Sequence, residues 1–518
     1  MRAGGIVLLA AAALAAAASL EGIPTDSWVY DDIELLRVSG WIRTLPSTSR
    51  PWTRAEAARL VREADSLAQG ASLGRAQRVA LARLVTAFAE ELPGTAPATG
   101  PRLPLLRLAI PGTAGDEVRG DLFSRAGAGD GRQAASIGAV IANRPGDPFA
   151  FYERAEFTMF HPDTVDITDS AGTHVFGTRV HSWMQLATLE VEHAYLAFRI
   201  PWVRLQVGRD KMVWGPGATS SVMLDDNAPS LDNIRLSGRY GNVRFLAFTS
   251  YLSRWGESHR FLSAQRLELS LLRRLVLGGA LMAVYSWDSL QTRSLFGLMN
   301  PLIPVYVEVA NSGHDDNFLA GGDFALYLPQ VKLHGQFFLD NFEFLKREWK
   351  APNAIAWQVG VHWVTDFGFD LLSEYARVNP FTYYHRISRI MYEHYGVPLG
   401  HELGPDADRI YARAGFVVAR PLTVRAGLSH TRRGYYNRGD FSRRSFYAGQ
   451  PLPRGFPSAE GGEFVERTVL GWLELELRLG RDLRLAGSGS YRYTENRAGT
   501  PENEDAFGTS LRVEYRYD

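Results

Sequence analysis

Residues 473–479 of the chain read Leu-Glu-Leu-Glu-Leu-Arg-Leu, the clearest alternation of apolar and charged residues in the sequence. Successive side chains of a β-strand point to opposite faces, so this segment has one leucine face and one charged face. Residues 511–517 and 203–207 alternate in a similar way, and in residues 243–249 Val243, Phe245, Ala247 and Thr249 alternate with other residues. Such segments recur from about Leu105 to the C-terminus, separated by turns or polar loops. The sequence therefore predicts a protein built mainly of half-apolar strands.

Two architectures are compatible with strands of this kind. In a soluble all-β protein the polar face meets water, whereas in an outer-membrane barrel the apolar face meets lipid and the charged face lines the lumen. The barrel is favoured by the long succession of strands, an N-terminal signal, the absence of cysteine and an aromatic content of 12%. At roughly 23 residues per strand and loop, we expect an all-β transmembrane barrel of about 18 antiparallel strands, with 16 as the alternative.

Aromatic residues near strand ends are candidates for the girdles that flank the lipid-facing band of a barrel. The predicted girdle pairs are Tyr195 with Trp202, Trp357 with Trp363, and Tyr491 with Tyr493. The last strand runs to the chain end, where Tyr517 is penultimate and Asp518 takes the place of the usual terminal aromatic. We therefore expect outer-membrane lipid and the barrel-assembly machinery as partners.

The N-terminus predicts a cleaved signal peptide over residues 1–18. Arg2 precedes an apolar run that ends in small residues at Ala16, Ala17 and Ala18. The alternative is an N-terminal membrane anchor, but the run is shorter than the ~20 residues that a spanning helix needs. Because the chain contains no cysteine, disulfides, thiolate metal sites and a lipidated N-terminal cysteine are excluded.

Residues 19–99 are predicted to form a small helical region in the periplasm. Thr53 followed by Glu56 is a capping box, and apolar residues at helical spacing follow it. A linker rich in proline and glycine then leads into the barrel, expected over residues 100–518. The segment around the capping box also resembles one S-layer homology module, which leaves a cell-wall tether as a further hypothesis.

Charge and motifs exclude several classes of function. The chain has 56 basic and 56 acidic residues, so nucleic acid is not expected as a partner. Asp225 and Asp226 are sequence neighbours, whereas a glycosidase needs two carboxyls about 5–9 Å apart across a bound sugar. His401-Glu402 lacks the second histidine of a zinc-protease motif, and no acidic loop has the ligand spacing of a calcium site. We therefore expect a non-enzymatic protein without catalytic residues, metal or cofactor.

The densest polar stretch is residues 207–234, VGRDKMVWGPGATSSVMLDDNAPSLDNI. Arg209, Asp210 and Lys211 are too polar to face lipid, so we expect them in the lumen or in a loop. Trp214 opens a Trp-Gly-Pro-Gly sequence typical of a tight turn. This stretch is expected to lie just after a barrel strand.

Two interpretations of this stretch remain open. Asp225, Asp226 and Asn227 would either cap a turn or pair with Arg209 and Arg235, forming an internal network that fixes a loop in the lumen. Alternatively, the same polar groups would contact a sugar directly. The candidates for either role are Arg209, Asp210, Lys211, Trp214, Asp225, Asp226, Asn227, Asp232 and Arg235.

Long loops at residues 161–174, 287–323, 379–408 and 432–463 place one end of the barrel outside the cell. Their aromatic and planar polar residues are suited to stacking on sugar rings and pairing with hydroxyl groups, although packing within constricting loops would use the same residues. We expect the loops at 379–408 and 432–463 to be the more exposed binding surface. The candidates in the first of these are Tyr383, Tyr384, His401, Glu402, Asp406 and Asp408.

Three sequence blocks together resemble the Wzi family of capsule-assembly outer-membrane proteins. They are GRDKMVWGPGATSSVMLDDNAPSLDNIRLSG (208–238), GHELGPDAD (400–408) and an N-terminal block containing SWVYDDIELL (27–36) and SRPWTRAEAA (49–58). The resemblance implies an outer-membrane barrel of about eighteen strands with a periplasmic helical portion. It further implies a lectin, not an enzyme, that anchors capsular or other exported polysaccharide.

The monomer is the expected state of the protein. The alternative from another functional class is a porin or solute-uptake channel, whose lumen charges would select solutes.

Overall fold

A computed structural model of the chain places the N-terminal region and most of the strands. It describes residues 20–92, 118–129, 132–143, 149–160, 187–200, 202–287, 305, 307, 309, 316–340, 354–385, 387–419, 421–434, 465–479 and 483–517. The predicted signal peptide, the linker after residue 92 and most of the loops at 161–174, 287–323 and 432–463 lie outside the described residues.

Three helices follow one another near the N-terminus: α1 (Val29–Val38), α2 (Arg54–Ala68) and α3 (Arg75–Ala87). The hydroxyl of Thr53 accepts a hydrogen bond from the backbone N–H of Glu56 (3.2 Å), which confirms the predicted start of α2. The apolar faces of the helices bury Ile33, Leu60 and Leu84 against each other. None of the helices that the structure describes is long and apolar enough to cross a membrane.

Eighteen long strands, numbered β1–β18 here, form one closed antiparallel barrel, as the alternation predicts. Each strand pairs with its neighbours in sequence, and β18 returns to pair with β1, with Leu122 opposite Tyr517. In order the strands are β1 Val118–Gly129, β2 Arg132–Asn143, β3 Phe149–Phe160, β4 Ala187–Ile200, β5 Val203–Asp210, β6 Leu231–Tyr240, β7 Val243–Trp255, β8 Ser258–Leu271, β9 Leu275–Trp287, β10 Asn317–Leu328, β11 Val331–Asp340, β12 Ile355–Val364, β13 Phe369–Val378, β14 Ala407–Ala419, β15 Leu422–Arg433, β16 Glu466–Leu479, β17 Leu483–Glu495 and β18 Glu504–Tyr517.

The two faces of each strand behave as the alternation predicts. Leu473 and Leu475 of β16 are about half exposed on the outer face (49% and 50%), whereas Glu476 faces inward and is 1% exposed. Trp202, Trp363, Tyr491 and Tyr493 are exposed, as girdle residues would be, whereas Trp357 is half-buried. Tyr195 was wrongly predicted as a girdle residue. It is buried inside the barrel, where its hydroxyl accepts a hydrogen bond from the backbone N–H of Gly22 (2.7 Å).

Long connections and short turns lie at opposite ends of the barrel. The long connections follow β3, β5, β9, β11, β13 and β15, all at one end, because adjacent strands run antiparallel. The helical unit packs on the short-turn end. Three of its side chains donate hydrogen bonds to carbonyls in or next to the short turns: Arg37 to Arg273 (2.8 Å), Arg75 to Val418 (2.7 Å) and Gln77 to Thr365 (3.3 Å).

Four two-residue strands and two 3₁₀ helices complete the described structure. The two-residue strand Ser49–Arg50 pairs with Val213–Trp214, so the N-terminal segment meets the connection between β5 and β6. Glu393–His394 pairs with Val397–Pro398 within the connection after β13. Short 3₁₀ helices lie at Ser388–Ile390 and Arg497–Gly499.

Candidate functional site in the barrel lumen

Three segments fold into the lumen and bond to one another. We call them the luminal plug: residues 45–53, residues 211–230 and the described residues of 379–406. The backbone N–H of Gly215 donates to the carbonyl of Thr48 (2.9 Å), which joins the first two segments. The backbone N–H of Asp225 donates to the carbonyl of Leu399 (2.7 Å), which joins the second to the third. Distant parts of the chain thus form one body inside the barrel.

The centre of the luminal plug is apolar and fully buried. Trp214 is 0% exposed and packs edge-on against Phe248 of the wall, with ring centroids 5.3 Å apart. Two tyrosines of the third segment tie their hydroxyls to the second segment. Tyr383 donates to the carbonyl of Val222 (2.9 Å), and Tyr392 donates to the carbonyl of Met223 (2.8 Å). Buried aromatic rings with satisfied hydroxyls hold the plug in one conformation.

A buried polar network centred on Asp210 surrounds the base of residues 211–230. The Asp210 carboxylate, 2% exposed, lies 2.8 Å from a ring nitrogen of His193, and it accepts from Gln206 and Arg235 at the same distance. Lys211 pairs with Glu192 of β4 (3.1 Å). These contacts favour the interpretation of Asp210, Lys211 and Arg235 as an internal network that fixes the loop.

Arg209 does not point into the lumen or a loop, contrary to the sequence-based expectation. It alternates with the inward Asp210 along β5 and lies on the same outer face as the exposed Val207. Its charge is neutralised by Asp232, directly opposite on β6, through two hydrogen bonds of 2.8 and 2.7 Å. Because the pair is bidentate, it lowers the free-energy cost of placing these charges on the outer face, close to the end with the long connections.

Asp225, Asp226 and Asn227 do not pair with Arg209 or Arg235, so that expectation was wrong. Asp225 is buried and accepts a hydrogen bond from the hydroxyl of Ser220. Burial, together with the neighbouring charge of Asp226, raises the pKa of Asp225 to about 8. Asn227 donates to the carbonyl of Pro398 (3.1 Å), while Asp226 is half-buried. These residues join two segments of the plug.

The candidates in residues 379–408 are mostly buried, so this loop is not the exposed surface that the sequence predicted. Burial lowers the pKa of His401 to about 3 and raises the pKa of Tyr384 above its usual range. Asp406 is fully buried at a left-handed φ of 55°. Glu402 is the exception: it is half exposed and pairs with Arg409 (2.6 Å).

Asp408 lies on the outer face, two residues before the exposed Ile410 of β14. It accepts hydrogen bonds from Arg432 of β15 (2.9 Å) and from the hydroxyl of Tyr375 of β13 (2.9 Å). The arrangement resembles that of Arg209 and Asp232, because a polar cluster is again neutralised at the loop end of the outer wall.

A second buried network was missed by the sequence reading. Arg266 of β8 pairs with Asp323 of β10 over the intervening strand β9 (2.6 Å). Thr48 also donates a hydrogen bond to Asp323 (2.9 Å). Ser49 donates to Glu268 (2.6 Å), so the N-terminal segment is fixed to the wall at two carboxylates. The sequence does contain a signal for this network. Arg266 and Glu268 alternate with leucines in β8, which indicates two charged side chains on its inward face.

Among the described residues, the luminal plug covers the inward wall from β5 to β13, whereas the inward face of β14–β18 carries exposed polar side chains. Inward polar residues on the wall from β5 to β13 are buried beneath the plug: Gln206, Arg235, Arg266, Gln336, Gln358 and Glu374. We call the inward face of β14–β18 the open wall. There Arg492, Ser510 and Arg512 are exposed, and Trp472 is half-buried.

No group of three or more residues suited to hold a metal ion occurs among the residues that the structure describes. The site thus consists of a rigid plug and a polar wall facing an open part of the lumen. Such an arrangement is suited to binding an extended polar molecule, because it offers hydrogen-bonding groups, charges and an aromatic ring.

The protein-family model named capsule assembly protein Wzi matches residues 125–506 of this chain. The chain belongs to the Wzi family. It is therefore an outer-membrane β-barrel of a family of capsule assembly proteins.

A solved structure of Wzi from Escherichia coli covers 95% of this chain and 98% of its own, with a TM-score of 0.64 and 15% identity. That protein is described as an outer-membrane protein involved in group 1 capsule assembly and as a carbohydrate-binding β-barrel. The two proteins share the fold.

More distant barrels match a smaller part of the Wzi-family chain. OprD of Pseudomonas aeruginosa covers 77% of it and 95% of its own length, at 11% identity and a TM-score of 0.45. OccAB1 of Acinetobacter baumannii covers 77% and 96%, at 8% identity and a TM-score of 0.44. None of the curated proteins compared with the chain is similar enough to count as a match.

Proposed function

We propose that this protein binds capsular or other exported polysaccharide at the outer membrane and helps to anchor it during capsule assembly. The observation that carries the proposal is the barrel of a capsule-assembly family whose lumen holds a rigid plug beside an open polar wall. A rigid plug supports a binding surface, because few conformations are lost when a ligand binds.

The protein acts by binding, without catalysis. Its most buried candidate groups serve the plug: Asp210 is held by three side chains, and Tyr383 is held by backbone atoms. Catalytic groups need access to a substrate, which these lack. No cofactor or metal is needed for this function.

The helical unit lies in the periplasm, and the long connections lie outside the cell. This orientation is supported by the position of α1–α3 on the short-turn end of the barrel, since short turns of such barrels face the periplasm. The protein works as a monomer. Its outer face meets outer-membrane lipid, and the barrel-assembly machinery inserts it.

The proposal is tested by deleting the gene in a capsulated host and measuring cell-bound against released polysaccharide. We expect released polysaccharide to rise and cell-bound polysaccharide to fall, with recovery on re-expression of the wild type. Unchanged retention in the deletion strain would overturn the proposal.

A further inference from the structure

The open wall carries an aromatic ring in an unusual position. Trp472 of β16 lies directly opposite Gly427 of β15, on the inward face. A Cβ atom added at Gly427 would lie 2.4 Å from Cε2 of the indole, 2.5 Å from Cζ2 and 2.6 Å from Nε1. Because the fusion carbon Cε2 is nearest, the indole covers Gly427 with its flat face. Trp472 is half-buried, so part of the ring stays accessible on the inward face.

The surroundings of Trp472 are small and polar. Ser490 of β17 lies opposite Trp472 on its other side. Further along, the hydroxyls of Ser488 and Ser510 are 2.6 Å apart, and Ser510 is exposed. The hydroxyl of Ser490 donates to the carbonyl of Gly508 (3.4 Å), so the serine hydroxyls near the ring bond within the wall and retain acceptor capacity for a polar ligand. The wall thus presents an aromatic platform beside small hydroxyl side chains.

The charges of the open wall are mostly neutralised within the wall. Arg425 pairs with Glu474 (3.0 Å) and Glu476 (2.9 Å), and Arg484 pairs with Glu476 (3.0 Å). Among the described side chains, Arg492 and Arg512 are exposed and have no hydrogen-bonding or ionic partner. An exposed, unpaired guanidinium favours anionic ligands such as carboxylates.

The two free arginines flank the platform along the strand direction. Arg492 is two residues from Ser490, the residue opposite Trp472. Arg512 lies opposite Ala486, six residues from Arg492 along β17, or about 20 Å at the rise of a strand. A single small anion cannot contact both arginines at this separation, whereas an extended chain with repeated negative charges can.

We propose that the open wall binds a segment of an acidic polysaccharide, with one sugar ring stacked on Trp472 and anionic groups paired with Arg492 and Arg512. The inference rests on the proposed function and adds to it the chemical class of the glycan and its place in the barrel. Sugar rings have an apolar face that an indole covers well, and the arginines set the preference for an acidic chain.

The test uses the full chain purified in detergent and two probes of equal length, an oligogalacturonate and a neutral maltodextrin. Equilibrium dialysis measures the affinity for each probe. We expect tighter binding of the oligogalacturonate, weakened about tenfold in Trp472→Ala. Trp472→Phe keeps an aromatic plane and should retain most of the affinity. Trp363→Ala removes an exposed outer-face ring and serves as the control.

Two further variants separate ligand binding from a structural role of the ring. Gly427→Ala keeps the tryptophan but displaces its ring, so it should weaken binding as Trp472→Ala does. The double variant Arg492→Gln with Arg512→Gln should lose about tenfold or more in affinity for the oligogalacturonate and most of the preference over maltodextrin. Unfolding temperature in detergent is recorded for every variant, and only variants with a wild-type temperature are compared.

Two results would overturn the inference: no binding of oligogalacturonate by the wild type, or affinity unchanged in both Trp472→Ala and the double arginine variant. In either case the proposed function is judged separately, by retention of surface polysaccharide in cells that make the wild-type protein. Normal retention together with unchanged affinity in the variants would place the binding surface elsewhere. Lost retention in the deletion strain together with the expected affinity changes would support both proposals.

Discussion

Asp210 and Asp232 lie on neighbouring strands but face opposite sides of the barrel wall. Asp210 is 2% exposed and binds Arg235, whereas Asp232 is exposed and binds Arg209. An ion pair removed from water has a large desolvation cost that only a complete set of partners offsets, while an exposed pair contributes little. The same residue type therefore has a different role at each position.

We predict that Asp210→Ala strongly destabilises the barrel. The substitution leaves the Arg235 guanidinium buried without its carboxylate, at an expected loss of about 3 kcal/mol or more. Denaturant unfolding in detergent micelles measures the change. Asp232→Ala is the matched control, with an expected change within about 1 kcal/mol. Equal effects of the two substitutions would show that Asp210 is not the centre of a buried network.

Asp225 makes the stability of the plug dependent on pH. Its folded pKa is raised to about 8 by burial and by the charge of Asp226, above the unfolded value of about 3.9. The folded state therefore holds a proton that the unfolded state has lost. This contribution to stability is complete below about pH 4 and declines as the pH rises through about 8.

We predict that Asp225→Asn gains stability relative to the wild type as the pH is raised from 5 to 9, because the amide is neutral throughout. Unfolding temperatures of both proteins across this range measure the difference. Asp232→Asn serves as the control, with an expected difference that changes little with pH. A constant difference between Asp225→Asn and the wild type would contradict the burial of a protonated carboxyl at this position.

At the scale of elements, the third segment of the plug is tied to the second by two phenols. The hydroxyls of Tyr383 and Tyr392 reach consecutive carbonyls, those of Val222 and Met223. Each hydrogen bond contributes about 1 kcal/mol, and an unpaired buried carbonyl costs more. The packing of the rings alone would hold the segment less firmly.

We predict that the double variant Tyr383→Phe with Tyr392→Phe loosens residues 379–406 without unfolding the barrel. Limited proteolysis should cut this segment several-fold faster than in the wild type, since local opening exposes its backbone. Tyr240→Phe, at the exposed end of β6, should leave this segment cut at the wild-type rate. No change in the double variant would indicate that apolar packing alone fixes the segment.

For the whole molecule, the plug decides between a binder and an open channel. Buried inward residues from β5 to β13 show that about half of the wall is covered, and the helical unit packs on the short-turn end. Solute flux through a barrel needs a continuous water-filled path. The plug on about half of the wall and the helical unit on the short-turn end narrow such a path, which favours a binder over an open channel.

We predict that the wild type shows only small or brief conductance in planar bilayers. Replacement of residues 379–406 by a short Gly-Ser hairpin should produce a larger, stable conductance, because it removes the third segment of the plug. Heat-modifiable migration on gels checks that this variant still forms a barrel. A stable large pore in the wild type would support the channel alternative.

Alternation in segments such as residues 473–479 and the capping box at Thr53 determined the barrel and the first helical region by themselves. Both signals are local, since strand faces and helix caps depend on residues within a few positions. The strand count also followed from the sequence, because the length of the predicted barrel region, residues 100–518, divided by roughly 23 residues per strand and loop gives about 18.

Only the tertiary structure decided the roles of the polar candidates. Alternation alone did not show which face of β5 holds Arg209, because a shift of one residue exchanges lumen and lipid. The partners of Asp225, Tyr383 and Arg266 lie in distant segments, and no local pattern brings them together. Trp472 could not be recognised as a candidate from the sequence for the same reason. Its suitability as a stacking platform depends on Gly427 in the neighbouring strand and on the exposure of the surrounding wall.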